Sequence, residues 1–186
     1  MYGTWDYCKN RATNKAEYAV WRLDWCAYIA GKRESRRLLG DYVLNENDIK
    51  QKKIFPDGCV TTTWSLDLHS PTPVNSQYFP GDEFRSRVAG GGRVDAYPTP
   101  FRCFYSKNVP NLMMAGRNIS VTHVALGTVR VMNTIGMMGV VTGRAAGLCK
   151  KCDCLPREIY EKHLEEFLER LANPGEGKSR RQGTER

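Results

Sequence analysis

Histidine is scarce, with three residues in the chain, and no uninterrupted apolar stretch reaches the ~18 residues that would suggest a membrane span. The opening residues MYGTWD carry neither the basic nor the apolar region of a secretory signal. A soluble protein is expected, with the cytoplasm as its favoured location. No Ser-His-Asp arrangement stands out to suggest a hydrolase, and no internal repeat suggests a solenoid. A secreted disulfide framework is also disfavoured, because the seven cysteines, at 8, 26, 59, 103, 149, 152 and 154, are odd in number and scattered. Cys149, Cys152 and Cys154 form a Cys-x-x-Cys-x-Cys run of a kind that ligates zinc or an iron–sulfur cluster. A closed site needs about four ligands, however, and no second pair lies at zinc-site spacing. No metal is assigned, and the run reads as the end of a helix and its connector.

The 186 residues suffice for one domain with a real core, or for a core segment plus a small lobe. A net charge of +8 raises nucleic acid, an acidic membrane surface or an anionic small molecule as partners. Its distribution disfavours nucleic acid. Lys32, Arg33, Arg36 and Arg37 form one cluster, Lys50, Lys52 and Lys53 another, Lys150 and Lys151 a third, and aromatics are not interleaved with these bases. An anionic small molecule is the partner class that remains, with no membrane.

Along the chain, residues 16–30 suit either a helix or, in their second half, a strand. Asn45 followed by Asp48 three residues later predicts a short helix with a capping box, ending before Pro56. Residues 59–69 alternate apolar and polar and predict a strand, and residues 101–105 predict a short aromatic one. The loop at 70–92 is rich in proline and glycine, a composition found in functional or mobile segments. Pro156 opens an amphipathic helix through Leu171, and the tail beyond it reads as disordered.

The organising stretch is 111–149, NLMMAGRNISVTHVALGTVRVMNTIGMMGVVTGRAAGLC. Leu112 to Ala115 fits a strand buried on both faces, although the run alone also suits part of a helix. From about Gly127 the spacing of Val129, Met132, Ile135, Met138 and Val141 predicts a helix. Glycines at 136, 139, 143 and 147 cost a helix interior roughly 1 kcal/mol each relative to alanine, so their presence asks for close approach by something. Two compatible readings are a helix packed tightly on a sheet and a helix whose free N–H groups face an anionic or electron-rich ligand.

Ala115-Gly116-Arg117, Ser120 with His123, Gly127-Thr128-Val129-Arg130-Val131-Met132 and the small-residue run at 143–147 occur in an order that resembles the C-terminal flavin-contacting signature of FAD-dependent oxidoreductases of the glutathione-reductase-like kind. Segments 31–44, 55–58 and 97–112 agree in order, so the resemblance covers roughly residues 18–149. It implies a mixed α/β (α+β) fold: the C-terminal part of an FAD/NAD(P)-binding Rossmann-like domain plus part of a β-rich substrate lobe. The strand, G-x-G-x-x-G turn and helix that hold the FAD pyrophosphate do not occur, since the glycines at 90–92 precede Val94-Asp95-Ala96-Tyr97-Pro98 rather than a helix. The expected division is a substrate-facing segment 1–95, an FAD-domain strand and helix 96–150, a docking helix 151–172 and a tail 173–186.

The resemblance further implies FAD as cofactor, with the flavin ring over a helix start near Gly127. Its N1 and C2 carbonyl would face the N–H groups of Thr128, Val129 and Arg130, where reduction builds negative charge. Ala115, Gly116, Arg117, Val131 and Met132 complete the implied cofactor shell. His123 is the implied proton relay, against the alternatives of a helix cap or a carbonyl bond. Arg33, Arg36 and Arg37 are candidates for bidentate contact with an anionic substrate, Arg36 also for a catalytic role, although Glu34 and Asp41 are placed to neutralise them. The implied partners are an N-terminal FAD-binding half outside this chain and a small anionic organic substrate, with homo-oligomer formation left open. The rival class is a non-catalytic basic binding module from a truncated gene.

Overall fold

The computed structural model describes residues 2–28, 36–68 and 94–173. The backbone divides after Arg33 into two compact units. In the first, helix α1 (Tyr2–Asp6) runs into one π-helical turn (Tyr7–Arg11) and then a 3₁₀ turn (Lys15–Tyr18). Lys9 Nζ gathers this unit by donating to the carbonyls of Tyr18, Ala19 and Trp21 at 2.8–2.9 Å. Residues 21–27 form no regular element, so the strand expected in the second half of 16–30 is absent over the described residues.

The second unit is mixed α+β. Helix α2 (Glu46–Lys50) has the anticipated capping box, Asn45 Oδ1 accepting from Asn47 and Asp48 N–H while Asp48 Oδ2 accepts from Asn45 N–H. Strand β1 (Gly58–Thr62) pairs antiparallel with β2 (Tyr97–Pro100), so residues from either side of the expected division at 95 share one ladder. The alternation at 59–69 predicted a strand twice as long. It stops because Thr62 already faces Tyr97, the first residue of its partner, and no described residue extends the ladder beyond.

Two further expected strands do not form. Residues 101–103 curl into a 3₁₀ turn because Asp57 draws both adjacent amides to itself, Phe101 N–H to its carbonyl at 2.8 Å and Arg102 N–H to its carboxylate at 3.0 Å. At 112–115 the chain makes a single bridge from Met113 to Tyr105, with Leu112 and Ala115 exposed rather than buried on both faces.

The predicted helix near Gly127 is two helices. Thr122 caps α3 (His123–Val129) by accepting from Ala125 N–H at 3.2 Å, so the helix starts at His123. Extended backbone at Val131 then breaks the chain, and α4 (Met132–Cys152) leaves at 92° to α3. No single described helix is long and apolar enough to cross a membrane. Asp153 in the left-handed region ends α4, whose last residue, Cys152, lies three past Cys149.

The predicted docking helix is likewise a pair, α5 (Pro156–Lys162) and α6 (Leu164–Ala172), broken at His163. Pro156 sits at the start of α5 as expected. The apolar face is buried: Ile159 and Phe167 are fully enclosed, and the Phe167 ring lies 4.6 Å from that of Phe101. Around them the core continues through Leu44, Val60, Phe104, Met114, Ile119, Leu126, Met138 and Leu148. Arg144 closes the assembly by donating to the carbonyls of Arg170 and Leu171 at the end of α6.

Candidate functional site

The elbow between α3 and α4 collects most of the candidate residues. A chain of buried hydroxyls locks it to the sheet. Thr134 on α4 donates to Thr62 Oγ1 at 3.3 Å, and Thr62 donates to the Thr128 carbonyl at 3.0 Å. The Thr128 hydroxyl donates to the Ala125 carbonyl at 2.9 Å and accepts from Tyr97 Oη. Burial holds the Tyr97 phenol far up in its neutral form, as suits a donor.

Gly127 is where the chain needs a glycine. A β-carbon there would stand 2.9 Å from the Asp67 carbonyl oxygen, so the Asp67 backbone passes α3 in close contact. Close approach was the reason expected for Gly136, Gly139, Gly143 and Gly147, a set that does not include Gly127. At Gly136, Gly139, Gly143 and Gly147 an added β-carbon meets nothing within 4 Å among the described residues, leaving that side of α4 open to them.

Arg130 sits at the elbow with its side chain 12% exposed, donating to the Asp67 carbonyl and carboxylate, each at 3.0 Å. It is therefore an inward-facing tie and not a surface residue of an amphipathic helix. His123 is the first residue of α3 and is partly buried. Burial, then the positive charges of Arg37 and Arg130, push its pKa below the ordinary histidine value. Arg37 is positioned through the next residue, whose amide (Leu38) donates to the Asn118 carbonyl at 2.9 Å, beside Arg117. Thr122, adjacent to His123, donates its hydroxyl to Glu46 at 3.1 Å and so ties the α3 start to α2.

The structure thus brings His123, Arg37 and Arg130 together, and leaves other expected contacts elsewhere. The N–H groups of Thr128, Val129 and Arg130 lie within or just past the last turn of α3, not at a helix start. Gly127, Thr128 and Val129 are buried in the chain's own core. The uncapped helix start is that of α4: Val131 offers no side-chain cap, and Met132 is 87% exposed. Ala115 and Arg117 are exposed, and Gly116 is buried with φ 111°, a conformation for glycine, its N–H donating to Met138 Sδ at 3.4 Å. Arg36 is exposed and Arg33 lies outside the described residues. Asp41, expected to offset these arginines, instead pairs with Arg157 at 2.6–2.7 Å, which holds its carboxyl below the usual range. Sequence reasoning did not find Asp67 or Tyr97: each meets the elbow only through contacts distant in sequence.

Fold and site together define a mixed α+β protein that gathers positive charge around one histidine at a helical elbow. A family model described as FAD dependent oxidoreductase matches residues 2–171, and the chain belongs to that family. FAD is the cofactor this membership brings, and the oxidoreductase class is favoured over a non-catalytic basic module. Comparison with curated proteins and with solved structures gives no match.

Proposed function

We propose that this chain supplies the flavin-ring and substrate side of an FAD-dependent oxidoreductase, as the C-terminal part of a Rossmann-like FAD domain with part of its substrate lobe. The observation that carries this reading is the exposed, uncapped start of the 21-residue helix α4 next to the His123, Arg37 and Arg130 group. Unpaired N–H donors and nearby fixed positive charge are the donor set that suits the electron-rich pyrimidine edge of a flavin. The residues that would hold FAD are Val131 and Met132 at the helix start, with Arg130, Arg117 and the 115–116 backbone beside them. Bound FAD supplies two-electron redox chemistry.

His123, kept neutral by burial and by its arginine neighbours, is disposed to accept a proton rather than to carry one at neutral pH. Arg36 and Arg37 take an anionic organic substrate through bidentate pairing of guanidinium with carboxylate. The open glycine side of α4 takes the dinucleotide-binding unit, with its G-x-G-x-x-G turn, that these 186 residues do not contain.

The test places a carboxylate at the helix start. A charge interaction there is worth about 0.3 to 2 kcal/mol depending on burial, and ~1.4 kcal/mol corresponds to roughly 30 mV for a two-electron couple. In holoenzyme reconstituted with a dinucleotide-binding segment, Met132→Asp should lower the flavin midpoint potential by some tens of millivolts, whereas Glu169→Gln on α6 leaves it alone. Retained FAD with an unchanged or raised potential refutes the placement of the ring at α4.

A further inference from the structure

A second constellation lies away from the elbow, at the opposite end of α4. Cys152 is the last residue of α4, His163 stands at the break between α5 and α6, and Glu166 follows on the first turn of α6. One ligand atom from each of the three residues lies within 4.8 Å of the other two, and all three residues are partly buried.

We propose that Cys152, His163 and Glu166 form a binding site for a divalent transition metal of the zinc type. A soft thiolate, an imidazole and a carboxylate are the three ligand classes zinc accepts, and two negative charges among them balance a divalent cation. Bonds of ~2.0–2.3 Å to a tetrahedral ion set its ligands roughly 3.3–3.8 Å apart. Closing from the observed spacing asks for side-chain adjustment of about an ångström, with no change of backbone.

The local structure supports this use. The left-handed Asp153 turns the chain sharply after Cys152, and α5 then brings it back so that α6 starts beside the α4 end. His163 and Glu166 are three residues apart and share one side of the α6 start. His163 does not use its ring to cap α6. Glu166 Oε1 accepts from Lys151 Nζ at 2.8 Å and from Arg170 Nε and Nη2 at 3.0 and 2.8 Å, which anchors the carboxylate and leaves Oε2 as the ligand atom. The Cys154 amide donates to the Cys149 carbonyl at 3.0 Å, which holds both cysteines at the same end of α4, so the fourth position goes to water or to one of these thiols. The cysteine run that lacked a second cysteine pair in the sequence finds its remaining ligands on the next two helices. Metal there would clasp the end of α4 to α6.

The test is cobalt(II) titration of the reduced full chain, read by absorption, with zinc competition and thermal melting alongside. One equivalent of cobalt should give d–d bands of tetrahedral intensity and a thiolate charge-transfer band, both erased by zinc, and zinc should raise the melting temperature. Cys152→Ser, His163→Ala and Glu166→Gln should each weaken cobalt binding by more than the ~10–100-fold that loss of an outer-shell partner costs. Cys152→His, which keeps a ligand, should retain cobalt and weaken only the thiolate band. Circular dichroism of each variant without metal confirms that the fold persists. Absence of a tetrahedral cobalt spectrum in the folded chain overturns the proposal. So does a spectrum that survives Cys152→Ser and His163→Ala but disappears in the Cys149→Ser/Cys154→Ser double variant, which would place the ion on the neighbouring thiols.

Discussion

Glycine-to-alanine substitution should have opposite signs on the two helices of the elbow. In a helix interior alanine is favoured over glycine by about 0.8–1.0 kcal/mol, and Gly127 and Gly139 both lie inside helices. At Gly139 the new methyl meets open space, so Gly139→Ala should gain close to that full amount. At Gly127 the methyl would stand 2.9, 3.2 and 3.3 Å from the carbonyl oxygen, nitrogen and carbonyl carbon of Asp67. These are backbone atoms, and the Asp67 side chain is further tied to Arg130, so the segment cannot simply swing away. Overpacking of this kind costs typically 1–3 kcal/mol, which exceeds the propensity gain over most of that range. Gly127→Ala should therefore come out destabilised by up to ~2 kcal/mol. For a chain of this size ~1 kcal/mol moves the melting temperature by roughly 2–4 °C, so calorimetry of the three proteins should place Gly139→Ala above wild type and Gly127→Ala below it. A Gly127→Ala protein that melts with or above Gly139→Ala would show that the Asp67 backbone does not pass α3 in contact, and the site geometry built on Asp67 would fall with it.

Other outcomes follow from the same contacts. Asp57 is fully enclosed and held by Arg102 through two contacts of 2.9 Å, so Arg102→Ala, which strands a buried charge, should cost ~3–5 kcal/mol in urea unfolding. A loss under 1 kcal/mol would mean the carboxylate reaches water. Phe167→Ala removes a ring packed on Phe101 and should cost about 3–5 kcal/mol, and a near-neutral result would show that α6 does not close the core. His123 has a folded pKa below its ordinary 6.5, so its neutral form is favoured on folding. Its contribution is intact above the unfolded pKa and falls away as pH drops through the folded one. NMR titration of the ring should give a midpoint below 6.5 that rises in Arg37→Gln, and a midpoint above 6.5 refutes the placement. Cys103 is fully buried with its thiol pushed up to about 12, so in the native chain it should resist a maleimide that labels exposed thiols, and rapid labelling would contradict the core.

The legible parts of the fold were those determined locally. Asn45 and Asp48 make their capping box within one turn, and Pro156 with Ile159 and Phe167 marks an amphipathic segment by spacing alone. The elbow was not legible, because hydrophobic periodicity runs through Arg130 and Val131 without interruption. What divides it is Thr122 starting α3 early and Thr62 and Asp67 holding the bend from far along the chain. The strand at 59–69 failed for a related reason: alternation reports a half-buried face, but ladder length depends on the partner, and β2 begins only at Tyr97. Among the site residues, the assignment of Thr128 and Val129 to an exposed helix start did not survive, since both are interior. That Arg37 reaches the neighbourhood of His123 could not be read from a separation of 86 positions, which only the folded backbone closes.

The hydroxyl chain from Thr134 through Thr62 and Thr128 to Tyr97 also determines how the protein breathes. Each of its members lies on a different element, α4, β1, α3 and β2, and parting any one of them strands a buried polar atom on another. The elbow therefore has no inexpensive partial opening of its own. Under native conditions the amides of β1, β2, α3 and the first turns of α4 should exchange with deuterium as one cooperative unit, at a shared and high opening energy. The bend is then a fixed corner of the molecule instead of a hinge, and a ligand arriving at the start of α4 meets donors whose directions are set before it binds.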